Sequence, residues 1–210
     1  MLHHLLTKAH AVLGEDAKAL LHAKEALSAA RATGRPIDFY KALRGVGQLA
    51  FAAGEDVLAK AAFLRARKIA HEAELPNYVH CSDAELAEVE LRSGSAEVAV
   101  KSIERLLAMG ADGLNLIPRL SAMAALLSHY IKSGHESALA QTHDLLQHVR
   151  SVNLPFVELS ILNSLEQVDP KRSTEFALAA ATIIREQRYS ACYLSPDCVE
   201  MLRAEINNPA

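Results

Sequence analysis

The chain carries ten histidines and three cysteines, residue types that ligate metals or serve as bases and nucleophiles. Spacing decides between those uses. His3 and His10 are seven residues apart and share a helix face. His143 and His148 are five apart, which turns them away from each other on a helix. No His-Glu-x-x-His and no Cys-x-x-Cys occurs, and Cys192 and Cys198 have no histidine near them. Zinc needs four converging nitrogen or sulfur ligands, or three and a water. The expectation is therefore no metal site and no cofactor.

His80-Cys81-Ser82-Asp83 sets nucleophile-type and base-type residues side by side. Neighbours on a helix point about 100° apart, so the four cannot converge by themselves. The stretch reads as a helix N-terminal region, with Ser82 or Asp83 as a local cap. Glu85, Glu88 and Glu90 read as a charged helix face, and paired catalytic carboxylates would need a pocket. No catalytic residue is assigned, and the chain is not expected to be an enzyme.

The elements that position these residues repeat. Glycines fall at Gly14, Gly54, Gly94 and Gly134, a constant interval of 40 residues. Pro36, Pro76 and Pro196 keep the same register, Pro155 comes one residue early, and Pro118 comes two late. Glycine tolerates the left-handed backbone that ends a helix. The acidic or Ser residues after it favour the next N-terminus. Proline fits a first helical turn, where its missing N–H has little consequence. Five residues after each glycine stand Ala19, Ala59, Ala99 and Leu139; twelve after it, Ala26, Ala66, Leu106 and Leu146. Eight before it stand Leu6, Val46, Leu86 and Leu126. The pattern predicts eleven helices, over 2–13, 16–33, 37–53, 56–74, 77–93, 96–109, 115–133, 136–152, 156–167, 171–189 and 197–206. The units are 1–35, 36–75, 76–114, 115–154 and 155–195 in one domain, with residues 196–210 as a cap. The fifth unit lacks the glycine and breaks at Asp169-Pro170.

Composition agrees. Of 210 residues, 50% are hydrophobic and 5% aromatic, with no Trp, which suits close packing of Ala- and Leu-rich helices. A net charge of −3 argues against direct nucleic-acid binding, which needs many Lys and Arg on phosphate. An odd, scattered set of cysteines argues against a disulfide scaffold and for a reducing cytoplasm. No apolar run is long enough to span a membrane, and the N-terminus does not read as a signal peptide.

The second unit, with Val46-Gly47, Ala50, Gly54, Ala59, Phe63 and Ala66 ending at Pro76, resembles the tetratricopeptide repeat. Other units depart from it: His10 and Glu90 stand where Tyr is usual, and His143 stands where Phe63 does. The resemblance covers about residues 1–190. It implies an all-α fold, a right-handed superhelical solenoid of antiparallel helix pairs with about five TPR-like repeats and a C-terminal capping helix. The 40-residue unit, longer than the usual repeat, is similar to the sensor arms of bacterial transcription activators of the MalT and LuxR-related type. In those regulators the arm follows an ATPase module and senses inducers or inhibitory proteins. This chain has no Gly-x-x-x-x-Gly-Lys-Ser/Thr loop and no separate DNA-binding module, so only the arm would be present.

In such a stack the first helix of each pair lines the concave side. Periodicity places Lys8, Lys41, Arg44, Gln48, Glu88, Arg92, Ser128 and Lys132 in that groove, with His4, Ala84 and Ser121 beside them. The basic bias at Lys8, Lys41, Arg44 and Arg92 suits an acidic or extended peptide. Gly45, Glu85 and Ala125 occupy inner places where some relatives grip a C-terminal carboxylate, so a chaperone-tail clamp is not expected. The expected function is a protein- or peptide-binding scaffold or regulatory module; the alternative is a sensor domain holding a small inducer between helix pairs. The apolar stripe Met1, Leu2, Leu5 and Leu6 is expected to mediate homodimer formation.

Overall fold

Prolines open the helices and left-handed residues close them. The computed structural model describes residues 3, 7, 10, 15–93, 96–109, 116–169, 171–187 and 194–207. These residues form ten helices: α1 (Asp16–Thr33), α2 (Pro36–Ala52), α3 (Asp56–Glu72), α4 (Pro76–Ser93), α5 (Ala96–Ala108), α6 (Leu116–Lys132), α7 (Ala138–Ser151), α8 (Pro155–Val168), α9 (Ser173–Gln187) and α10 (Pro196–Asn207). Of the expected helix over 2–13, His3, Thr7 and His10 are described, and all three are helical. The stripe Met1, Leu2, Leu5 and Leu6, with Gly14, Gly94 and Cys192, lies outside the described residues.

Pro36, Pro76, Pro155 and Pro196 are each the first residue of their helix, as the spacing requires. Gly54 and Gly134 have φ of 80° and 77°, the left-handed conformation that reverses the chain between two helices. The same device recurs half a unit away without glycine, at Glu74 (φ 55°) and Asn153 (φ 52°). In all four turns the next residue donates its N–H back across five positions: Glu55 to Ala50, Leu75 to Ala70, His135 to Tyr130 and Leu154 to Val149. These bonds satisfy carbonyls that the last helical turn leaves open. Asp16 and Asp56 stand in the first turns of α1 and α3, but Glu15 and Glu55 at the caps make no side-chain capping bond. The acidic residues there act through charge against the helix dipole.

The chain divides into two compact units, Met1–Val89 with Tyr189–Ala210 and Glu90–Arg188. In the first unit α2 packs against α1 and α3, and α10 packs against α3 and α2. Its core is Leu27, Tyr40, Leu43, Leu49, Leu58, Phe63 and Leu202, filled in by Ala19, Ala59, Ala62, Ala66 and Ala70. Ala19, Ala59 and Ala66 stand at repeat positions and are wholly buried. Without side-chain bulk there, neighbouring helix backbones come close. The second unit joins α5 to α6, α6 to α7, α7 to α8 and α8 to α9, and also α6 to α8. Its core holds Leu127, Leu145, Leu146, Ile161, Leu162, Leu165 and Phe176.

The sequence predicts residues 196–210 as a cap after the fifth repeat. In the structure α10 lies in the first unit: Val199, Leu202 and Ile206, spaced to form one stripe, are buried in its core. Arg31 of α1 reaches Glu205 with a 2.6 Å ion pair and donates to the Glu205 carbonyl at 3.2 Å. No helix among the described residues is long and apolar enough to cross a membrane.

Candidate functional site

Two helix faces with the same spacing meet in the first unit. On α2, Lys41, Arg44 and Gln48 fall at i, i+3 and i+7, one side of a helix. On α4, Glu85 and Glu88 repeat the first step of that spacing within the unit, and Arg92, which completes it, belongs to the second unit. Arg44 Nε donates to Glu85 Oε1 at 2.8 Å, and Gln48 Nε2 donates to the same oxygen at 2.7 Å. The Glu85 side chain is only 10% exposed and that of Arg44 29%. A carboxylate that buried is held by charge-assisted hydrogen bonds; without them it would be strongly disfavoured.

The surroundings are equally dry. Tyr40, Cys81 and Ser82 are buried beside the pair, and the Tyr40 ring meets Tyr78 edge-on at 4.8 Å. Burial pushes the Tyr40 phenol well above its ordinary value; Glu85 and Cys81 add to the rise, and Arg44 and Ser82 oppose it. Burial works against the Arg44 charge. The attraction of Glu85, with Tyr40 and Cys81, outweighs it and holds the guanidinium above its ordinary value. A second tie, Arg67 Nε to Asp83 Oδ1 at 2.5 Å, fixes α3 to α4.

The local sequence expectation for α4 is corrected on two points. His80-Cys81-Ser82-Asp83 lies inside the helix that starts at Pro76, so neither Ser82 nor Asp83 caps it. Cys81 and Ser82 face the core, and Asp83 pairs with Arg67. Glu85 is not part of a solvated face; it turns inward because Arg44 and Gln48 are there to receive it.

The second unit joins its first helices in the same way, with neutral groups. Ser128 Oγ on α6 lies 2.7 Å from Ser164 Oγ on α8 and donates to the Ala124 carbonyl at 2.7 Å. Lys132, the last residue of α6, is exposed. Of the other groove residues expected from the sequence, Lys41 and Glu88 are half-buried and Arg92 is exposed. Lys8 and His4 lie outside the described residues. Arg44, Gln48 and Ser128 are among the expected residues that the structure builds into contacts between first helices.

Cluster formation also occurs where spacing gave no signal. His3 and His10 both approach His22 of α1, with ring centroids 5.4 and 5.2 Å away. His10 Nδ1 lies 2.5 Å from Glu15 Oε2. His22 and Glu25 went unmarked because their partners come from a different helical stretch, and no residue-to-residue interval encodes that approach.

Among the described residues Cys81 is buried and Cys198 half-buried, and neither is in a disulfide. No family model matches the sequence, and neither a curated protein nor a solved structure is similar enough to match it.

Proposed function

We propose that the chain is a protein- or peptide-binding scaffold of the TPR-like type, a superhelical solenoid whose first helices line the binding groove. The contact between first helices of successive pairs carries this reading: Arg44 and Gln48 meet Glu85 in one unit, and Ser128 meets Ser164 in the other. Stacked helical hairpins place their first helices side by side in this way within each unit. The 40-residue unit fits the sensor arm of a bacterial transcriptional regulator. The partner is an acidic or extended peptide, met in the first unit by Lys41 with Gln48 and Glu88, and in the second by Arg92 and Lys132 with Ser128. On this reading the chain works in the cytoplasm, catalyses no reaction and binds nucleic acid only through its partner.

Arg44 is already committed to Glu85, so charge reversal there would disturb packing as well as binding. Lys41→Glu with Arg92→Glu tests the basic groove, with circular dichroism separating lost binding from lost packing. Anisotropy titrations with labelled acidic and basic peptides of equal length should show acidic-peptide binding that weakens at least tenfold in the double variant and with added salt. Unchanged affinity at unchanged helicity overturns the basic groove.

A small-molecule sensor is the second reading. The depression between α1 and α2, lined by His3, Ala26, Ala30, Thr33, Asp38 and Lys41, is open to solvent and offers about 40 Å³, far less than an ordinary ligand pocket. A metabolite thermal-shift screen separates the two, since only a ligand of the folded state raises Tm. Light scattering at high concentration tests self-association through the N-terminal stretch.

A further inference from the structure

We propose that His3, His22 and Glu25 form a binding site for one zinc-type divalent cation. Their ligand atoms all lie within 4.8 Å of one another. His22 and Glu25 are three residues apart on α1 and share one face. His3 reaches them from the helical stretch before α1. His3 Nδ1 stands 3.2 Å from His22 Nδ1, and each of these nitrogens stands 2.9 Å from Glu25 Oε2.

This triangle has no satisfactory hydrogen-bonding solution. If both Nδ1 atoms carry hydrogen, each donates to Glu25, and two N–H groups then oppose each other across 3.2 Å. If one Nδ1 is bare, its lone pair faces the carboxylate oxygen across 2.9 Å. A single N–H cannot serve both of its neighbours. Around a carboxylate oxygen, each of these arrangements leaves one edge of the triangle with like groups facing. A cation at the centre resolves all three edges at once, because each atom then directs a lone pair at the metal.

The dimensions fit. Ligand atoms about 2.0–2.2 Å from a tetrahedral zinc are roughly 3.3 Å apart. The observed edges of 2.9–3.2 Å need only a slight expansion to reach that. Two imidazoles and one carboxylate are a donor set that zinc accepts, leaving a fourth position for water. His3 and Glu25 are 39% and 43% exposed, so water has access. His10, bound to Glu15, stacks on His22 with ring centroids 5.2 Å apart and steadies that ring. Nitrogen donors disfavour magnesium and calcium, which take oxygen ligands. The bound ion would fasten the segment carrying His3 to the middle of α1.

The test uses the full chain, stripped with chelator and titrated with zinc chloride by calorimetry, with Tm measured in parallel. The proposal expects one equivalent bound and a raised Tm, with no response to magnesium. His3→Ala, His22→Ala and Glu25→Gln should each weaken zinc by roughly a hundredfold, while the control His148→Ala leaves it unchanged. X-ray absorption at the zinc edge should report two imidazole nitrogens with oxygen completing the shell. Circular dichroism on Glu25→Gln, which keeps the side-chain shape, separates loss of ligand from loss of fold. Absence of zinc binding by the wild-type chain overturns the site, as does binding that survives Glu25→Gln and His22→Ala undiminished.

Discussion

A Cβ added to Gly47 would lie 2.5 Å from Cε1 of Phe63. Gly47 is in the middle of α2 and buried, and Phe63 is in the middle of α3 and 2% exposed. The glycine is thus a slot cut in one helix for a ring on the next, not a backbone hinge. Gly47→Ala should destabilise the chain by about 1–3 kcal/mol through overpacking, despite the higher helix propensity of Ala. Phe63→Leu in the same chain should recover part of that loss by vacating the slot. Urea denaturation of the single and double variants checks both statements; an Ala variant as stable as the wild type would show that the α2–α3 interface yields.

The Arg44–Glu85 pair invites a double-mutant cycle. Arg44→Ala takes the charged partner from buried Glu85, and should cost about 3 kcal/mol. Replacing both by Leu removes the unpaired charge and should cost less than either single change. Additive effects in chemical denaturation would mean that the two side chains are not energetically coupled.

The fold was legible in the sequence where one residue type does one job. Gly54 and Gly134 occupy the left-handed turns because φ near 80° excludes most other residues, so their interval announced the repeat. Ala59 and Ala66 are buried where the period put them. The second set of turns was legible from its prolines, but the left-handed backbone there was announced only at Gly34, because Glu74 and Asn153 adopt it without being glycine. The site was legible only as helix faces: periodicity aligned Lys41, Arg44 and Gln48, but it could not say that Glu85 would turn inward to meet two of them. The placement of α10 was equally hidden, since an apolar stripe states that a helix is covered and not by what.

Glu74 therefore offers a stabilising substitution. A side chain in the left-handed region is strained by contact with its own backbone, and glycine is not. Glu74→Gly should raise stability by about 0.5–1 kcal/mol, net of the greater freedom glycine has when unfolded. Asn153→Gly should gain less, because Asn tolerates this conformation. Thermal melts of the two variants rank them; equal or reversed gains would place the strain elsewhere.

Alkali should unfold the chain by way of two tyrosines. Burial holds the Tyr40 phenol above its ordinary value, and the hydrogen bond to Glu104, with some burial, pushes Tyr130 up to about 12. Both shifts favour the protonated form in the folded state. Their stabilisation is complete below the unfolded phenol value of about 10, and it is lost as pH rises through the folded values. Tyrosinate absorbance should therefore lag in the native chain and complete only as helicity falls. Tyr130→Phe should flatten the loss of stability between about pH 10 and 12. Uniform ionisation near pH 10 with helicity intact would remove the effect.

The last helix ties the two ends of the first unit together, and its removal should be felt there. Leu202 is wholly buried, with Val199, Ile206 and Leu194 beside it in the core shared with α2 and α3. Leu202→Ala leaves a cavity that the alanine-rich neighbours are too small to fill, at a cost of about 2–5 kcal/mol. Arg31→Ala breaks the bond to Glu205 between partly exposed groups and should cost much less, about 1 kcal/mol. The contrast distinguishes apolar docking from ion pairing as the force that holds α10. Hydrogen exchange reports where the change falls: the amides of α2 and α3 should lose protection in Leu202→Ala, since α10 shields them. If the leucine variant melts like the wild type with those amides still protected, α10 does not belong to this core.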